Sequence, residues 1–248
     1  MQTLVTGATS GIGRALAGLL TVRGDRVFGV ARKAEALADV QAQLGKNFSF
    51  VAADLASPEA ADTVVRALAV AGFTPDAVVL NAGIYPHDSD KEFDAAVAAQ
   101  VLAVNSTGAL ALVGALLPQL LQRGGQFVAV SSLFARRPDP LGVGYAASKA
   151  ALTMAFRSLA LRYRNRSVRF KVIQFGPIAT EGFAGVERRR VRFAPHLRTA
   201  GQAAAAIVRT MAGNRTVVTY PGLVAWALRV TAFLPDPAFD AITRPFRR

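Results

Sequence analysis

Apolar residues gather along the chain in short Val- and Phe-rich runs near 2–6, 26–31, 48–53, 76–81, 126–131, 168–175 and 215–219, most of them apolar on both faces. That is the pattern of strands covered on two sides. Helical stretches lie between them, near 12–23, 34–44, 58–71, 93–123, 144–164 and 200–213, with Ser57-Pro58 and Thr199 as helix starts. Strict alternation of strand and helix, without a linker, a solenoid repeat or a low-complexity segment, predicts a doubly wound α/β fold. About seven parallel strands carry helices on both faces in a Rossmann-like arrangement.

Composition narrows the class. A chain of 248 residues with 52% hydrophobic and 18% charged residues suits one large core and a single domain, which excludes disordered and fibrous classes. The absence of cysteine removes disulfides, thiolate metal sites and cysteine nucleophiles. Met1 leads straight into a strand without the flanks of a signal peptide, so a cytoplasmic enzyme is expected. The longest apolar runs, 108–121 and 222–234, are interrupted by Pro118 and Arg229. Both fall short of the roughly 20 residues that span a bilayer, and no transmembrane helix is expected.

The net charge of +13 is uneven. Residues 1–124 carry 9 Lys and Arg against 11 Asp and Glu, whereas residues 125–248 carry 20 against 5. No basic stripe interleaved with aromatics accompanies the excess, so no nucleic-acid partner is expected.

Between the first strand and the first helix lie Gly7, Gly11 and Gly13 in TGATSGIG. Gly7 allows a tight turn, Gly11 lets backbone approach a ligand, and Gly13 lets the helix pack near the sheet. The helix N-terminus then offers N–H groups to an anion such as a pyrophosphate. Other unusual residues follow the later strands: Arg32 and Lys33, then Asp54, Asn81-Ala82-Gly83, Ser131-Ser132 and Gly176 to Thr180. The carboxyl ends of parallel strands form one crevice, where ligands of such sheets bind.

In these motifs the sequence resembles the short-chain dehydrogenase/reductases: TGATSGIG (Thr6 to Gly13), NAG (Asn81 to Gly83), Ser132, Asn105 in VNSTG, and YAASK (Tyr145 to Lys149), in family order over about residues 2–220. One departure is Phe175-Gly176 where the family has Pro-Gly. The resemblance implies a nicotinamide dinucleotide held by Gly7, Thr9, Ser10, Gly11, Ile12, Gly13, Arg32, Lys33, Asp54, Leu55, Asn81, Ala82, Gly83, Tyr145, Lys149, Ile178 and Thr180. It implies Asn105, Ser132, Tyr145 and Lys149 as the catalytic set, with Lys149 also on the nicotinamide ribose and Asn105 holding a water. The small-molecule partner is a carbonyl or alcohol, and a homodimer or homotetramer is expected.

Tyrosine is a poor acid–base catalyst near neutrality unless a cation favours its phenolate. Tyr145 and Lys149 stand one helical turn apart, so Lys149 is expected to lower the tyrosine's pKa. Tyr145 is then the proton donor to a carbonyl oxygen that Ser132 holds. After the second strand, Arg32 and Lys33 stand where NAD-binding folds place a carboxylate, which predicts NADP(H).

Remaining features carry weaker readings. His87 and His196 lie far apart without a ligand pattern, and no metal is expected. Arg162, Arg164, Arg166 and Arg169 precede the sixth strand, away from the crevice. Residues 181–198 match the family's substrate lid; Arg188, Arg189, Arg190 and Arg192 there suit either an anionic substrate or a solvated loop. The tail from about 221 to 248, with Leu223, Trp226, Val230, Phe233 and Leu234 on one helical face, suits packing on the core or a neighbouring subunit, or peripheral membrane contact. The reading is a NADP(H)-dependent reductase of a hydrophobic ketone or 3-oxoacyl-type substrate. Its rival is a catalytically silent NADP-binding regulatory or scaffold protein, whose mark would be loss of the tyrosine or lysine; both are present.

Overall fold

Val- and Phe-rich runs pair as the pattern predicts, in a computed structural model that describes residues 1–86, 92–139, 142–179, 197–222, 235, 237 and 238. The strands are β1 (Gln2–Thr6), β2 (Arg26–Ala31), β3 (Phe48–Ala52), β4 (Ala77–Leu80), β5 (Gly125–Ser132), β6 (Val168–Phe175), the short β7 (Ile178–Ala179) and β8 (Arg198–Thr199), and β9 (Val217–Tyr220). Seven of them form one parallel sheet in the order β3-β2-β1-β4-β5-β6-β9. β7 pairs with β8 beside it. The helices are α1 (Gly11–Val22), α2 (Ala34–Leu44), α3 (Ala60–Val70), α4 (Ala95–Leu102), α5 (Gly108–Arg123), α6 (Val143–Arg162) and α7 (Ala200–Ala212). The fold is doubly wound α/β.

Successive strand residues face opposite sides of the sheet, so each strand feeds two cores. Leu4, Val78 and Leu80 join Leu112, Leu116, Phe127 and Phe156 on one side. Val5 and Val79 join Leu16, Leu20, Leu37 and Ile207 on the other. The strand order reverses beside β1, which has β2 on one edge and β4 on the other. The loops leaving β1 and β4 therefore open side by side.

Two sequence expectations are corrected. The stretch near 93–123 is not one α-helix: α4 and α5 are joined by a π-helical turn, Ala103–Thr107. Pro118, which breaks the apolar run, lies within α5, as the helical stretch over 93–123 requires. The combined helix, 95–123, is long and apolar enough to cross a membrane, yet half of its apolar window is buried within the fold. α3 begins at Ala60, two residues after Pro58, because Ser57 and Glu59 are engaged with each other through their side chains. At Thr199 the expected start holds, with a capping box to Gln202.

Candidate active site

The glycine loop is shaped by close packing. Gly7 has a φ of 69°, a left-handed turn that favours glycine, and a Cβ there would stand 2.9 Å from Ala82 Cα. A Cβ on Gly13 would overlap the Gly7 carbonyl oxygen. Ser10 caps α1 in extended conformation without a side-chain cap, and no acidic residue occupies the first turn. The leading N–H groups of α1 consequently face the crevice end of the sheet as an anion cradle.

Asn81 braces that loop. Its Nδ2 donates to Thr6 O (3.0 Å) and Gly7 O (3.3 Å), while the N–H groups of Asn81 and Ala82 both donate to Thr6 Oγ1 at 3.0 Å. The Asn81 side chain is thus a strut between the β1 and β4 loops. Asp54 is exposed and accepts from Ala56 N (3.0 Å), beside buried Leu55. Arg32 and Lys33 are both exposed at the end of β2. Ile178 is buried in β7, next to Gly176 and Pro177, and Gly176 N donates to Tyr220 O at 2.9 Å. Thr180, His87, His196, the four lid arginines and the five apolar tail positions lie outside the described residues.

The π turn decides where Asn105 points. One extra residue per turn rotates Asn105 and Ser106 onto α6. Asn105 Nδ2 donates to Ile84 O and to Ser148 Oγ, both at 3.0 Å, and its Oδ1 accepts from Ile84 N at 2.8 Å. Ser106 Oγ donates to Ser148 O at 2.8 Å. Both amide hydrogens of Asn105 are therefore used within the protein, tying the loop after β4 to α6.

Tyr145 and Lys149 lie on one side of α6, with Lys149 Nζ 5.6 Å from the Tyr145 ring centroid. Lys149 is buried and donates to Val130 O at 3.0 Å. Burial lowers its pKa from 10.5 to about 8. Gly83 leaves the space beside it: a Cβ there would stand 3.3 Å from both Lys149 Nζ and Asn105 Oδ1. Ser132 closes the group from the end of β5, its hydroxyl hydrogen-bonded to Tyr145 and also accepting from Phe134 N at 3.3 Å. Ser131 turns the other way, to Thr153 Oγ1 (2.7 Å) and Lys149 O (3.3 Å), and holds α6 on the sheet.

The expected direction of the tyrosine's pKa is overturned. Burial raises it above its ordinary value, the Ser132 hydrogen bond works against that, and the charge of Asp139 adds to the rise. Lys149 spends a proton on Val130, and the desolvation of the phenol outweighs what the neighbouring cation offers. Sequence reasoning missed Asp139 and Tyr85, which stand against Tyr145 but belong to no repeating pattern.

Arg162, Arg164 and Arg166 line a surface hollow of about 560 Å³ with Leu161, Tyr163 and Asn165, at the end of α6 and the amino end of β6. That is the far edge of the sheet from Ser132 and Tyr145. Among the described residues no group of three His, Cys, Asp or Glu could hold a metal ion.

A family profile described as short chain dehydrogenase matches residues 2–190. An uncharacterized oxidoreductase of Myxococcus xanthus is 33% identical over 98% of this chain and 96% of its own length. A hydroxysteroid 11-beta-dehydrogenase 1-like protein of Xenopus tropicalis is 33% identical over 95% and 82%. Among solved structures, a Pseudomonas aeruginosa RhlG/NADP active-site complex superimposes with a TM-score of 0.81 at 26% identity, covering 89% of this chain and 94% of that one. With the family profile covering residues 2–190 and a relative 33% identical along nearly its whole length, this chain belongs to the short-chain dehydrogenases, a family of oxidoreductases.

Proposed function

We propose that the protein is a NADP(H)-dependent reductase of a hydrophobic ketone or a 3-oxoacyl-type substrate, with Tyr145 as its proton donor. The observation that carries the reading is the setting of Tyr145: half-buried, hydrogen-bonded to Ser132, with Lys149 Nζ 5.6 Å from its ring, and with its pKa raised by desolvation. A protonated phenol is the form that donates to a carbonyl oxygen as negative charge develops on it. Ser132 holds that same oxygen and aligns it with the phenol. Lys149, with its pKa near 8, stands ready to return a proton charge to the cluster near neutral pH.

The residues present fit a dinucleotide. The uncapped start of α1 suits the pyrophosphate, Lys149 the nicotinamide ribose beside Gly83, and Arg32 with Lys33 and Ser10 the 2′-phosphate. When bound, the nicotinamide supplies the hydride of the reduction. The similar solved structure from Pseudomonas aeruginosa, an active-site complex with NADP, supports the same choice.

The test is a panel of ketones, 3-oxoacyl thioesters, steroids and sugars assayed by NADPH absorbance, with Tyr145→Phe beside the wild type. Turnover in the variant is expected to fall about a thousandfold with NADPH binding nearly intact, because the ring and Lys149 remain. Wild-type turnover in Tyr145→Phe would remove Tyr145 from the chemistry.

A further inference from the structure

We propose that Tyr85 and Asp139 form a positioning pair for Tyr145, a hydrogen-bonded wall that fixes the ring of the proton donor and confronts it with a buried carboxylate. The pair lies outside the motifs that carry the family resemblance, and the proposal rests on the reading of Tyr145 as the acid.

The two residues come from different loops. Tyr85 follows the Asn81–Gly83 turn, and Asp139 follows the short 3-10 turn Leu133–Ala135 after β5. The Tyr85 hydroxyl donates to Asp139 Oδ2 at 2.7 Å. The Tyr85 ring packs on Tyr145 with centroids 4.4 Å apart and planes tilted by 42°. Phe134 approaches Tyr145 edge-on at 6.3 Å and Tyr85 at 6.5 Å, so the phenol of Tyr145 sits among two other rings. Such contacts restrict a ring's rotation about its side-chain bonds.

The approach needs Gly142. A Cβ there would overlap Tyr85 Cε2 and stand 2.9 Å from Asp139 Oδ2, so any side chain at 142 would push the pair apart. Ile84, next to Tyr85, is pinned through both N–H and C=O to Asn105, which fixes where Tyr85 leaves the backbone. Rigid support of this kind is what a precise proton donor requires.

Asp139 is only 7% exposed. A carboxylate so placed disfavours the phenolate and keeps the proton on Tyr145 until a carbonyl oxygen takes it. Among the described residues, the groups that face Tyr145 are Lys149 from its own helix, Ser132 from β5, Asp139 and Tyr85. Arg136 and Arg137 share the loop of Asp139, and Arg136 Nε is turned to Gln174 Oε1 at 2.7 Å.

The ionisation of Tyr145 can be read without a substrate, from the tyrosinate absorbance of each protein minus that of the same protein carrying Tyr145→Phe. Asp139→Asn keeps the shape and an acceptor for Tyr85, and it is expected to lower the Tyr145 midpoint by about half to one pH unit. Tyr85→Phe keeps the ring but removes one hydrogen bond that holds the carboxylate toward Tyr145, so the carboxylate can turn away and the midpoint should fall by less. Combining the two should add nothing to Asp139→Asn. The alkaline limb of kcat/KM, measured with NADPH and the best ketone of the panel, should move in step. An unmoved midpoint in Asp139→Asn, or strictly additive shifts, would overturn the pair. Should Tyr145→Phe abolish turnover while Asp139→Asn changes neither readout, the pair alone fails; should Tyr145→Phe turn over normally, the underlying assignment fails.

Discussion

Lys149 and Lys171 are both buried lysines, 4% and 2% exposed, on elements that pack against each other. Burial lowers the pKa of each. Their partners differ. Lys171 Nζ donates to Thr210 O (3.1 Å), Met211 O (2.6 Å) and Gly213 O (2.7 Å), so all three ammonium hydrogens meet carbonyls at the end of α7. Those carbonyls lack helical partners, and the negative end of the helix dipole faces the cation. The Lys149 ammonium meets one carbonyl, Val130 O, and among the described residues makes no other hydrogen bond. Two donors are left over beside Gly83 and Tyr145. Burial and a lowered pKa therefore do not by themselves mark a functional lysine; unspent hydrogen-bonding capacity at the crevice does.

Lys149→Met should separate the two roles most sharply. Turnover on the ketone panel is expected to fall about a thousandfold. Stability should move the other way. The folded pKa near 8 lies below the unfolded value of 10.5, so the unfolded chain binds more protons between those limits. The lysine's contribution is complete above pH 10.5 and is lost as pH falls to about 8, leaving a cost at neutral pH of up to about 3 kcal/mol. Denaturant unfolding of the variant at pH 7 should show that gain, shrinking to nothing above pH 10.5. A variant less stable than wild type at both pH values would make Lys149 a structural lysine like its counterpart.

Lys171→Met should do the reverse. It leaves three helix-end carbonyls without their donor, and about 2 kcal/mol of stability should be lost. Turnover per folded molecule should stay at the wild-type level, since Lys171 lies against α7 and not at the crevice. A loss of turnover without a loss of stability would break the contrast.

The sequence shows one of these lysines and hides the other for a physical reason. Lys149 announces itself through Tyr145 four residues earlier, a local spacing. Lys171 sits in the middle of VRFKVIQF, and its partners lie about forty residues away in α7. The strands 2–6, 26–31 and 168–175 were legible to the residue because each is a β-branched and aromatic run bounded by turn or polar residues. β7 and β8 are two residues each, too short to carry any period. The π turn at Asn105 hides inside an apolar helical pattern, since the extra residue changes one turn only. The direction of the Tyr145 pKa depends on Asp139 and on burial. Neither is a helix neighbour, so the local pair with Lys149 pointed the wrong way.

A third cation sharpens the comparison from the solvent side. Arg32 is exposed at the carboxyl end of β2, and among the described residues it has no hydrogen-bond partner. An exposed cation contributes little to folding, so its replacement should leave stability within about half a kcal/mol. Its five N–H groups match a phosphate, and a charge-assisted bidentate contact gains geometry as well as energy. In the proposed reading, Arg32→Ser weakens NADPH binding about tenfold and leaves NADH binding unchanged, because only NADPH carries the 2′-phosphate. Adding Ala31→Asp should invert the preference, since a carboxylate at the end of β2 accepts from a free ribose hydroxyl and repels a phosphate. Titration of each protein with the two cofactors separately measures this. Equal losses for NADPH and NADH in Arg32→Ser would show that the arginine does not read the phosphate and is, unlike Lys149, unspent for no purpose at the crevice.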